Sequence, residues 1–288
     1  MKSALVWVVR LFWAVQVLTL GPAIGQALEG RSRPVQVVGT WGPWVVWAAV
    51  LLATLVPTTV SLTVLRSGVP AATVAAVLAW CAGASTTSAL VGLGGSLAVL
   101  LVAFSGDLGE VFVQGSAYGH ERRLPLRPPA ALLIAVPTAW MLLVASLTAG
   151  ALGLAARSWW WAAPVAALGL ALAPLLGRRF HRLSRRWLVL VPAGVVVHDH
   201  LVLAETAMFL AADVMHAALA LEGTEAANLT GTALGPVVEV RLRNMATVVL
   251  AAPPRGTTRA LHVQSVLVSP TRPGRALAAI STASSATR

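Results

Sequence analysis

Residues able to do chemistry gather at three places along this 288-residue chain. The first is the stretch Gln114 to Pro129, which holds the only tyrosine, Tyr118, together with His120, Glu121, Arg122, Arg123 and Arg127. A phenol, an imidazole and a carboxylate can exchange protons, and a guanidinium fork can hold a phosphate or a carboxylate. The same composition also suits a solvated loop beside a membrane, whose arginines meet anionic headgroups. The second place is Arg178-Arg179-Phe180-His181-Arg182-Leu183-Ser184-Arg185-Arg186, with five arginines in nine positions. Beside an anionic surface each arginine contributes about 1 kcal/mol of attraction. Because this run abuts a long apolar stretch, the expected partner is an anionic headgroup and not a nucleic acid.

The third place is His198-Asp199-His200. Two histidines at i, i+2 lie on one face of a strand, but a tetrahedral metal site needs more ligands. Glu205 and His216 could supply them only if the strands align, so no metal is expected. Cys81, the one cysteine, lies between Trp80 and Ala82 and can form neither an intrachain disulfide nor a zinc cluster. There is no Gly-x-Ser-x-Gly, and Lys2 is the only lysine. No catalytic residue and no cofactor is expected.

The elements that must position these residues belong to a membrane protein. Residues of the set AVILMFWYC make up 57% of the chain and charged residues only 11%, against about 45–50% and roughly a quarter in soluble domains. The twenty arginines beside one lysine fit a GC-rich bacterial genome. Charge divides the chain. Residues 1–177 carry nine basic and four acidic residues, and residues 178–288 carry twelve and six. This predicts a transmembrane domain over 1–177 and a more polar domain over 178–288.

A spanning helix needs about 20 apolar residues. Residues 4–28, 44–65, 129–155 and 159–177 meet that length, the second with a kink expected at Pro57. The first is read as a retained helix and not a cleaved signal. Residues 69–105 are too long for one span, at about 55 Å of helix against a core of roughly 30 Å. A turn within Gly83 to Ser88 gives six spans; a single extended span gives five. Counting arginines and lysine does not separate the two, and length favours six, with both termini cytoplasmic. Trp41, Trp44 and Trp47, and the run Trp159-Trp160-Trp161, are expected at the headgroup level. No Asp or Glu falls inside a proposed span, which argues against ion-coupled transport. Arg10 is expected to reach the interface, with a lipid or partner contact as the alternative. Gly92 to Ser96 suits close helix packing.

Beyond Arg186 the pattern changes to short β-rich runs: 187–191, 195–198, 201–209, 213–221, 237–242, 246–251 and 260–268, closed by an Ala-rich stretch at 275–283. Seven antiparallel strands and a final helix make a small barrel or sandwich. The stretch Arg185-Arg186-Trp187-Leu188-Val189-Leu190-Val191-Pro192-Ala193-Gly194-Val195-Val196-Val197-His198-Asp199 resembles the opening hairpin of bacterial PH-like domains. The whole chain resembles uncharacterised actinobacterial polytopic membrane proteins, in its Tyr-Gly-His-Glu-Arg-Arg-Leu-Pro-Leu-Arg-Pro-Pro loop and its Pro-Thr-Arg-Pro-Gly ending. The resemblance implies a binding or assembly domain and transfers no catalytic residue. The expected function is a non-enzymatic scaffold or accessory protein of the cell membrane, whose cytoplasmic domain binds a protein or lipid partner. The alternatives are a lipid or small-molecule transporter or a subunit of one, and a membrane-embedded enzyme using the Tyr118–Arg127 loop.

Overall fold

The computed structural model describes residues 2–252 and 256–286. Pro253, Pro254 and Arg255, between the expected strands 246–251 and 260–268, lie outside them. Two compact units form, one from Met1–Phe112 and Val136–His181, the other from Val113–Ala135 and Arg182–Arg288.

The first unit is helical. Its long helices are α1 (Lys2–Leu28), α2 (Arg33–Leu55), α3 (Thr59–Cys81) and α4 (Thr86–Ala103). The short α5 (Gly106–Gln114) follows, then α6 (Leu132–Ala155) and α7 (Trp159–Ser184). The six long ones are each apolar and long enough to cross a membrane. Their number matches the expected six, but their bounds do not. The stretch 44–65 is not one kinked span, because Pro57 ends α2 instead of bending it. Proline lacks an N–H and pushes its predecessor out of the helical region; Val56 is extended, at φ −124° and ψ 93°. Thr58 then starts α3, its Oγ1 accepting the N–H of Ser61 at 3.1 Å. The turn expected inside 69–105 is present at Ala82–Ser85, where Gly83 takes φ +109°. Ser85 caps α4 by accepting the N–H of Ser88 at 3.3 Å.

Small residues let these helices approach closely, since apolar lipid gives no hydrophobic force between them. A Cβ on Gly92 of α4 would lie 3.3 Å from the Cα of Leu20 on α1. One on Gly150 of α6 would lie 2.6 Å from the Cα of Ala166 on α7. Indole groups add hydrogen bonds. Trp13 Nε1 donates to the carbonyl of Trp47 at 2.9 Å, and Trp47 Nε1 donates to that of Trp13 at 3.0 Å. Trp140 Nε1 ties α6 to the carbonyl of Ser67 on α3 at 2.8 Å. Large apolar side chains point outward on these helices, among them Leu11, Leu18, Val45, Leu101, Ile134 and Leu170.

The second unit holds two four-stranded sheets, ordered β1-β2-β3-β4 and β5-β7-β8-β6. The strands are β1 (Arg122–Pro125), β2 (Trp187–Val191), β3 (Gly194–His198) and β4 (Ala207–Leu210) in the first sheet. The second contains β5 (Val214–Leu219), β6 (Ala227–Asn228), β7 (Val238–Ala252) and β8 (Thr257–Val268), and α8 (Pro273–Ala286) ends the unit. Leu188, Leu190, Val197 and Phe209 of one sheet meet Val240, Val248 and Val266 of the other, with Ala276 and Ile280 of α8 completing the core. The runs 237–242 and 246–251, expected as two strands parted by Asn244, are one strand. A register shift between Arg241 and Ala246 absorbs the extra residues, and Asn244 donates to Asp213 Oδ1 at 2.7 Å.

The unexpected strand is β1. It comes from the stretch between α5 and α6 and pairs antiparallel with β2, Leu124 opposite Leu188. The residues after it close the unit: Arg127 N–H donates to the carbonyl of Ser269 at 2.8 Å, and Thr271 N–H to that of Pro125 at 2.8 Å. The chain therefore leaves the β-rich unit after its first strand, forms α6 and α7, and returns.

Candidate functional site

The Tyr118–Arg127 cluster does not form one constellation. Tyr118 is 89% exposed, and His120 also faces outward. Glu121 turns inward, accepting from the Tyr118 N–H and from Arg123 Nη2 at 2.6 Å. Burial alone would raise its pKa, but these hydrogen bonds and the arginine charge outweigh it and hold the carboxyl below the usual carboxylate range. Gln114 secures the same loop, donating to the Glu121 carbonyl and accepting the Arg123 N–H, both at 2.9 Å. Arg122 points outward on the edge strand. Arg127 donates to the carbonyl of Pro236, and burial lowers its guanidinium below the ordinary arginine value. Glu121 thus braces its own loop through Arg123, and Arg127 fastens the residues after β1 to the β-rich unit.

The arginine run likewise divides. Arg178, Arg179 and Arg182 are exposed on the last two turns of α7, and Arg185 is exposed just past its end. Arg186 is not a surface group: it is 1% exposed. Its Nε and Nη2 grip the two carboxylate oxygens of Asp199 at 2.8 and 2.6 Å, and Nη1 donates to the carbonyl of Arg127 at 2.8 Å. It cannot at the same time meet a headgroup. Asp199 also accepts the N–H of Leu201 at 3.1 Å and is 1% exposed, so it is spent on the fold.

Around this pair lies a stack that residue types alone did not reveal. Trp187 lies opposite His198 in the hairpin register. Their rings stack at 5.3 Å with an interplanar angle of 20°, and the Arg123 guanidinium lies 4.9 Å from the centre of the Trp187 ring. His198 Nδ1 is 3.1 Å from the hydroxyl of Thr206. His200 lies in the turn after β3, its ring 6.1 Å from that of His198. Burial, with nearby arginine charge, pulls both imidazoles below the usual histidine range; Asp199 opposes this in part. Among the described residues no group of three His, Cys, Asp or Glu side chains is placed to hold a metal ion.

In the helical unit, Arg10 neither points away from the bundle nor stands alone. It donates to the carbonyls of Thr54 at 3.0 and 2.6 Å and of Leu55 at 3.2 Å, and lies 4.8 Å from the Trp7 ring centre. Arg66 does the same for the end of α4, donating to the Ala103 carbonyl at 3.2 Å beside the Phe104 ring. A cation at a helix C-terminus meets the negative end of the macrodipole and unsatisfied carbonyls. Trp159 and Trp160 are exposed at the start of α7. Trp41, Trp44 and Trp47 do not begin a helix; they fall midway along α2, whose 23 residues start at Arg33. Trp47 spends its N–H on Trp13. No family model, no curated protein and no solved structure matches the chain.

Proposed function

We propose that this chain is a multi-pass protein of the cell membrane, with a PH-like β-rich unit on the cytoplasmic side that serves as a scaffold or accessory module for a protein or lipid partner. The observation that carries the reading is α7. It runs unbroken from Trp159 to Ser184, apolar over most of its length, and exposes Arg178, Arg179 and Arg182 on its last turns. About 20 residues of helix cross a hydrocarbon core, so in this reading these arginines fall at the headgroups, and only Arg185 and Arg186 separate the end of α7 from β2. Arg66 shares that side in this reading, with Arg31, Arg33 and Arg157 opposite, which the positive-inside rule supports. The Tyr118–Arg127 loop supports a structural part in this scheme, because its inward-facing charges brace the loop and fasten the residues after β1.

An apolar groove lined by Val8, Val9 and Phe12 of α1 and Ala98, Val99 and Val102 of α4 favours lipid handling as the second reading.

Carbonate washing tests membrane insertion, since a six-span chain stays in the pellet. For orientation, Arg33→Cys in a Cys81→Ser background should react with an impermeant thiol reagent in intact cells. The background change is needed because Cys81 is exposed. Failure to label, beside a labelled periplasmic control, overturns the orientation. Capture in mild detergent tests the module, and loss of a specific partner on disrupting the β-rich unit is the supporting result.

A further inference from the structure

We propose that Arg182, Arg185, His198 and His200 form a phosphate-binding site at the junction of α7 and β2, one that binds more tightly as the surroundings acidify. The hairpin register that sets Trp187 opposite His198 runs Arg185 toward His200, whose ring lies 6.1 Å from that of His198. The arginines are exposed and, among the described residues, no ion pair joins either of them to a carboxylate. Arg185 acts electrostatically on both histidines, and Arg182 on His200. Arg123 also faces His198, but Glu121 neutralises it. Among the described residues Asp199 is the one carboxylate that acts on the two imidazoles, and both its oxygens are held by Arg186. The rings are held in place without being used up. His198 is fixed by its stack on Trp187 and by Thr206 at Nδ1. His200 has a buried Nε2 with no hydrogen-bond partner among the described residues, and a buried polar atom left unpaired is costly.

A phosphate group answers the uncompensated charge of the arginines and of the protonated rings. Its oxygens accept charge-assisted hydrogen bonds from guanidinium and imidazolium donors. Burial keeps the histidines neutral down through the ordinary histidine range, where the site is held by arginines alone. Below that range each protonation adds one positive charge and one donor, so affinity rises as pH falls. The chemistry is that of a phosphodiester, supplied either by a lipid headgroup or by a soluble phosphate ester; the lipid source rests on the membrane placement proposed above.

The test uses the full chain in a neutral maltoside detergent, with two probes that keep one negative charge throughout. These are dihexanoyl phosphatidylglycerol and its deacylated headgroup, glycerophosphoglycerol. Calorimetric titration should show binding about tenfold tighter near pH 5.5 than near pH 7.5. Tighter binding of the lipid than of the deacylated probe assigns the site to headgroups, and equal binding assigns it to soluble esters. Arg182→Gln/Arg185→Gln should abolish binding, while Arg182→Lys/Arg185→Lys keeps most of it, which separates lost charge from lost fold. His198→Gln/His200→Gln should keep the affinity seen near pH 7.5 and lose the acid dependence. Equal affinity at the two pH values, or indifference to the arginine-to-glutamine pair, overturns the proposal. A chain that resists carbonate extraction yet binds neither probe overturns this inference alone; a chain released by carbonate overturns the membrane placement instead.

Discussion

Arg186 and Asp199 face each other across the first hairpin of the β-rich unit, joined by two hydrogen bonds with both side chains at most 1% exposed. Desolvating two charges offsets much of their attraction, so such a pair adds little net stability, but removing one partner strands the other. Asp199→Asn should therefore cost about 3–5 kcal/mol and lower the thermal midpoint of the β-rich unit. The double change Arg186→Met/Asp199→Leu should recover a large part of that loss. A single variant that melts with the wild type would show that the pair is not buried in solution.

The interrupted path of the β-rich unit gives a second expectation. Because β1 lies before α6 and its partner β2 after α7, no single cut separates a helical part from a complete β-rich part. A chain ending at Gly177 loses β2 and leaves residues 122–127 unpaired. Trypsin should then cleave at Arg122 or Arg123, sites that the full chain protects. Equal cleavage in the two forms would show that β1 does not pair with β2.

The same strand shows where the sequence was hard to read. In Arg122–Pro125 only Leu124 and Pro125 are buried and two arginines precede them, so no alternation marks a strand, and its partner is two helices away. The Arg186–Asp199 pair was legible in principle, since a hairpin that sets Trp187 opposite His198 must bring 186 opposite 199. Residue type suggests otherwise, because five arginines in nine positions read as one surface. The six long helices could be read from length and apolarity, but Pro57 was taken for a kink because an apolar run hides a break between two helices. Asn244 misled in the opposite sense, since a bulge accommodates a polar residue that usually ends a strand.

Helix packing in the first unit can be tested at Gly150. Its missing Cβ allows α6 to meet the backbone of Ala166 on α7, where an added Cβ would come within 2.6 Å of Cα. Backbone cannot yield as a flexible side chain does, and overpacking of this kind costs about 1–3 kcal/mol. Gly150→Val should lower the thermal midpoint of the detergent-purified chain, whereas Gly94→Ala, with nothing within 4 Å of the added carbon, should leave it unchanged. Equal effects of the two changes would mean that α6 and α7 do not touch at this point.

Acid should weaken the β-rich unit through His198 and His200. Burial sets both folded imidazoles below the value they take in the unfolded chain, about 6.5. Between the two values the unfolded state binds more protons than the folded one, so stability falls as pH drops below the unfolded value and stops falling once both states are protonated. Above that range the histidines are neutral in either state and contribute no pH dependence. Both rings are only part-buried, so solvent moderates the effect. Thermal midpoints measured from neutral pH downward should fall in this window, and His198→Gln/His200→Gln should flatten the slope. Bound phosphodiester should flatten it too, because an anion that favours the protonated rings raises their folded values toward the unfolded ones. A slope unchanged by the double substitution would place the acid sensitivity in other groups.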